Sequence, residues 1–163
     1  VDSSLELLAE LSIGLVGFAG VVSALGRSRL SKATLSFRVG ALLINSVTAL
    51  VASIIPLLLA AHGVSVNVLW TIATVFLVLA QIGTITWSAR WVSSLSSEEV
   101  PNLIRVVMFS LIVLTILYEL YGIIFDLPSL SAIYIVGVSV SFGVGLFHFC
   151  ILVLSINVST EST

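Results

Sequence analysis

Five long apolar stretches, separated by short polar connections, constrain this chain more than any other feature. A membrane-spanning helix needs about 20 mostly apolar residues at a rise of about 1.5 Å each. The stretches run over 5–25, 39–61, 67–88, 103–125 and 130–156. Their continuity predicts helices, because strands of a membrane barrel would alternate apolar and polar residues over segments of about 10. Composition points the same way: 59% of the 163 residues are hydrophobic and 9% are charged, against about 25% charged in soluble domains. So few charges cannot clothe a water-soluble globule. The expected fold is an all-α integral membrane protein, with residues 1–163 forming a single five-helix transmembrane bundle.

The basic residues are unevenly placed. Arg27, Arg29, Lys32 and Arg38 surround the first connection, and Arg90 and Arg105 flank the third. The second and fourth connections carry no Lys or Arg. By the positive-inside rule, loops one and three face the cytoplasm, with the N-terminus outside and the C-terminus inside. Trp70 and Trp87 lie about 26 Å apart along the third helix, a spacing that suits two interfacial belts. Tyr118, Tyr121 and Tyr134 then project to the outer half. The acidic start, with Glu6 and Glu10, reads as a retained first helix rather than a cleaved signal peptide. Low cysteine use and short loops fit a bacterial or archaeal cytoplasmic membrane.

Local signals punctuate the spans. Ser96 with Glu99 fits a capping box before the fourth helix, and Pro101 suits a first turn. Pro56 removes a backbone donor inside the second span and predicts a kink. Asn157-Val158-Ser159 matches a glycosylation pattern but falls on the cytoplasmic side, where it stays unmodified.

Small residues let membrane helices approach closely. Gly14, Gly17 and Gly20 mark the first helix, and Gly137, Ser141 and Gly145 the fifth, which also carries Ser139 and Gly143 on a second face. Two small faces on one helix predict packing inside the bundle on one side and against a second copy on the other. The plainer alternative is tight packing in a monomer.

Ionisable and amide residues inside the spans are the candidate functional groups. Counting from helix ends places Glu10 and Glu119 in an outer acidic layer, with Glu6, Glu10, Gly14 and Gly17 on one close-packed face. Thr115, Glu119, Gly122 and Asp126 share a face of the fourth helix. Asn45, Gln81 and His148 are expected in a second polar layer nearer the cytoplasm. Uncompensated carboxylate charge is costly in hydrocarbon, so such acids hold a proton, a cation or water.

Three function classes fit the sequence unequally. A small homo-oligomeric ion or proton pathway draws on the intramembrane carboxylates, with Glu10, Glu119, Asn45, Gln81 and His148 as its residues. Against it stand very apolar span centres such as Val75–Leu79 and Leu111–Leu114. A non-catalytic structural or accessory subunit of a larger membrane complex is the alternative. An enzyme ranks last: no zinc-protease, nucleophile-elbow or phosphate-loop pattern occurs. No catalytic residue, metal or cofactor is expected, since two distant histidines and one cysteine make no ligand set. The expected partners are the lipid bilayer and the chain itself, and no nucleic acid.

Overall fold

The computed structural model describes residues 3–25, 31–92, 102–125 and 127–157. It contains five α-helices: α1 (Ser3–Leu25), α2 (Lys32–Ala61), α3 (Val66–Val92), α4 (Asn102–Ile124) and α5 (Leu130–Asn157). All five are long and apolar enough to cross a membrane, and the protein is an integral membrane bundle. The expected cap at Ser96 and Glu99, the residues Arg27, Arg29, Pro101 and Asp126, and the Val158-Ser159 part of the glycosylation pattern lie outside the described residues.

The largest departure from expectation is α2, which begins at Lys32 rather than near Val39. Ser31 caps it, its side chain accepting the Thr34 N–H at 3.2 Å. Thr34, Phe37 and Arg38 are buried in these first turns, so the helix starts as an amphipathic segment before its fully apolar stretch. At the other end the chain closes a Schellman motif. Gly63 N–H donates to Ala60 C=O at 3.0 Å and Val64 N–H to Leu59 C=O at 3.2 Å. Gly63 has φ +73°, which only glycine adopts without strain.

α5 is the hub. It packs against each of the other four helices, whereas α1 touches only α2 and α5, and α4 only α3 and α5. Its small residues explain this centrality. A side chain at Gly145 would press on Ser46 and Asn45 of α2, and one at Gly137 on Leu77 of α3 and the Glu119 carboxylate of α4. Gly137, Ser141 and Gly145 therefore form the small face of α5 that packs inside the bundle. Ser139 and Gly143 point outward.

The faces of α1 also differ from expectation. Its buried residues are Leu5, Ser12, Leu15 and Ala19. Glu6, Glu10, Gly14, Gly17 and Gly20 are exposed, and among the described residues no other part of the bundle lies within 4 Å of a side chain built on those glycines. The acids thus occupy the outward face, not the packed one. In a bilayer the lipid-facing side is as apolar as the core, so glycine spacing did not say which side turns inward.

Pro56 is buried inside a continuous α2. Lacking an N–H, it leaves the carbonyl of Ala52, four residues earlier, without its helical donor. The Tyr134 hydroxyl of α5 donates to that carbonyl. Tyr134 is fully buried, so it is a core residue and not part of an outer aromatic belt; Tyr118 and Tyr121 are exposed.

Candidate functional site

Among the described residues, one acid is buried inside the bundle. Glu119 is 0% exposed on the inner face of α4, in line with buried Ile112, Thr115 and Ile116. Room for it comes from α5: a side chain at Gly137 would overlap the carboxylate. From α3, Gln81 Nε2 donates to Glu119 Oε1 at 3.2 Å, with the Gly137 carbonyl at 3.4 Å and Ser141 Oγ at 3.5 Å on the edge of hydrogen-bond range. Ser141 itself donates to the Gly137 carbonyl at 3.2 Å.

Two layers expected to be separate are therefore joined, because Glu119 and Gln81 are in direct contact. Gln81 lies about 22 Å from the first residue of α3, whereas Glu119 lies about 8 Å from the last residue of α4. These two ends belong to the same side of the bundle, so α3 projects further there than α4. Depth counted from helix ends assumes level helices, and these are staggered.

Within this cluster Glu119 Oε2 and Gln81 Oε1 are buried without a hydrogen-bond partner among the described residues. Arg105, the basic residue on the same helix, is about 21 Å away along the axis. The amide suits a site whose occupancy changes. Its N–H group serves an ionised carboxylate, and its carbonyl is an acceptor for a protonated one.

Toward the end of the bundle that carries Lys32, Arg38, Arg90 and Arg105, a cavity of about 50 Å³ opens between α2, α3, α4 and α5. Asn45, Thr84, Ser88, Arg105 and His148 supply its polar lining. Asn45 and His148 thus line one cavity; along α3 Thr84 lies about one turn from Gln81, and along α5 His148 lies about two turns from Ser141. Asn45 Nδ2 donates to the Ala41 carbonyl at 2.8 Å. The His148 ring meets Phe37 edge-on at 5.8 Å, and its Nδ1 is buried with no hydrogen-bond partner among the described residues. Phe37 also stacks on Trp87, a contact that needs Gly40, since any side chain there would strike the indole.

At the opposite end, a cavity of about 270 Å³ is bordered by Asn67, Trp70, Pro128 and Ser131. Trp70 packs against Tyr134 with ring centroids 5.7 Å apart. This aromatic pair lies between that cavity and the acid. Trp70 and Tyr134 were legible only as aromatics near a membrane surface, and nothing in their spacing tied them to Glu119.

Glu10 stands apart from all of this. It is exposed on α1, which does not touch α4, so the two acids are not brought together. Among the described residues, no three His, Cys, Asp or Glu side chains cluster as a metal site. Comparison of the chain with protein-family models, with curated proteins and with solved structures finds no match.

Proposed function

We propose that this protein is a small membrane pathway for protons or a small cation, in which Glu119 is the binding group. The observation that carries this is the fully buried Glu119–Gln81 pair, set where each partner retains one unpaired oxygen. Burying a carboxylic acid at the heart of a bundle is expensive, and a purely structural core would be served by apolar residues of the same size. Gly137 fits the carboxylate too closely for a hydrated ion, which favours the proton over a metal cation.

By the distribution of Lys and Arg, the end with the smaller cavity faces the cytoplasm and the N-terminus lies outside. The setting is a bacterial or archaeal cytoplasmic membrane. Self-association belongs to the same proposal: the outward Gly14, Gly17 and Gly20 face of α1 allows close approach of a second copy. That same face supports the second reading, a non-catalytic subunit docked to a larger assembly.

Flux in proteoliposomes separates the two. Under a proton gradient wild type should carry protons, and Glu119→Gln, which keeps a polar group of the same size beside Gln81, should abolish the flux while the protein stays folded. Glu10→Gln, on the outward face, should leave it intact. A wild type silent under proton, sodium and potassium gradients at every voltage would exclude the pathway and leave the subunit reading.

A further inference from the structure

The half of α4 nearest the basic end does not close onto the bundle. From Leu103 to Leu111 no residue is buried, whereas Ile112, Thr115, Ile116 and Glu119 beyond them are. Across from it on α3, Ile85, Ser88 and Val92 are only half-buried. Between these stretches lies the cavity of about 50 Å³, floored by Val144 and His148 of α5 and Phe37 of α2. Membrane helices associate through close packing, so a standoff over more than two turns forfeits contact that something else must supply.

The cleft is apolar. Ile85, Val92, Ile104, Met108, Phe109 and Ile112 supply most of its wall. Two of its polar residues spend their hydrogens on their own helices. Asn45 Nδ2 donates to the Ala41 carbonyl at 2.8 Å, and Thr84 Oγ1 to the Ala80 carbonyl at 3.0 Å. A cavity lined this way stays dry and takes apolar matter. A water-sized group needs roughly 10–15 Å³, so about 50 Å³ admits a short file of methylene groups. A helix with its side chains is about 10 Å across and does not enter.

One end of the cleft is charged. Arg105 lines it one turn from the start of α4, and the wall runs to Ile112, about 10 Å deeper along the axis. Lys32, Arg38 and Arg90 belong to the same end of the bundle. From Arg27 to Arg105 the sequence holds six basic residues and two acids, Glu98 and Glu99, which lie outside the described residues. Arg105 already makes an interaction within the chain. The attraction to an anion therefore comes from the combined charge of this end, not from an unpaired guanidinium.

We propose that the cleft between α3 and α4 is a binding site for one anionic membrane lipid. Its headgroup sits beside Arg105, and the part of one acyl chain nearest that headgroup lies against Met108 and Ile112. The narrowness of the cleft selects a lipid tail over a second copy of the chain, and the charge at its mouth selects the headgroup. The bound lipid supplies the packing that this half of α4 lacks. Ile112 is about 10 Å from Glu119 along α4, and the inference stands whether or not the protein carries protons.

Spin-labelled phosphatidylglycerol and phosphatidylcholine, each added in trace to the full chain in phosphatidylcholine vesicles, test the site. Wild type should hold phosphatidylglycerol in the motionally restricted fraction with about fivefold preference, the effect of about one cation. Arg105→Gln should remove that preference. Met108→Trp, which fills the cleft and leaves the charge, should remove it too, whereas Leu114→Trp on the exposed face of α4 should keep it. A second measurement needs no variant. Phosphatidylglycerol with a diazirine near the head end of its chain, equimolar with wild type in uncharged detergent, should crosslink within 85–92 and 104–112. A preference lost in Arg105→Gln but kept in a folded Met108→Trp would place the lipid on surface charge alone and overturn the proposal. So would equal retention of the two lipids by wild type, crosslinks scattered over α1, or a dimer whose interface shields Met108 from the probe.

Discussion

The link between Pro56, Ala52 and Tyr134 makes a quantitative prediction. Pro56 cannot donate to the Ala52 carbonyl, and the Tyr134 hydroxyl supplies that hydrogen bond from α5. Tyr134→Phe keeps the ring and removes one oxygen, so the Trp70 contact survives and a buried carbonyl is orphaned. Stranding a buried acceptor costs about 1–3 kcal/mol. Hydrogen bonds between membrane helices average about 0.6 and reach about 1.7 kcal/mol in double-mutant cycles, because the unfolded state in detergent finds partners too. For a fully buried hydroxyl on a carbonyl with no helical donor, the upper part of that range applies, about 1.5 kcal/mol. Pro56→Ala restores the N–H four residues on, and the Ala52 carbonyl then regains a helical partner. In that background Tyr134→Phe should cost much less, leaving a coupling of about 1 kcal/mol between the two sites. Reversible unfolding in mixed micelles, followed against the mole fraction of dodecyl sulfate, measures all four corners of the cycle. An equal penalty for Tyr134→Phe with and without Pro56 would refute the idea that the hydroxyl substitutes for the missing backbone donor.

The same unfolding assay checks three further expectations. Glu119→Gln removes a buried ionisable group but not its volume, so stability should change by less than about 1 kcal/mol or rise, while proton flux disappears. Gly137→Ala drives a methyl group into the Glu119 carboxylate and Leu77 and should cost about 1–3 kcal/mol, whereas Gly17→Ala, with open space around it, should be neutral or stabilising for the monomer. Gly63→Ala, at φ +73°, should lose about 1–2 kcal/mol without altering flux, since the α2–α3 turn lies away from the acid.

Much of this architecture was written in hydropathy alone. Four of the five spans begin within two residues of their expected start, because lipid demands a long apolar run and permits little else. The exception is instructive. Residues 32–38 read Lys-Ala-Thr-Leu-Ser-Phe-Arg, too polar for a hydropathy window, yet Ser31 offers a cap and Thr34, Phe37 and Arg38 fall on one helical face. For the site, single residues were legible and their pairing was not. Glu119 stood out as an acid inside a span and Gln81 as an amide in an apolar run. Their contact depends on the stagger between α3 and α4, which no count from a helix end reveals. The particular role of Gly137 was hidden for a related reason: a small residue every fourth position signals close approach, but not to what. On α1 the buried stripe Leu5, Ser12, Leu15 and Ala19 competes with an equally regular stripe of acids and glycines. Hydrophobicity does not separate them where both faces meet oily surroundings.

The helix that bears the acid is also a peripheral one, since α4 docks on α3 and α5 alone. During biogenesis, helices enter the bilayer first and associate afterwards. Until α4 has closed onto its neighbours, its carboxylic side faces lipid or the insertion machinery, as a polar flag on an otherwise oily rod. Closure hides that flag completely. Glu119 thereby distinguishes a finished molecule from an unfinished one, since its carboxyl group is covered only once α4 has docked.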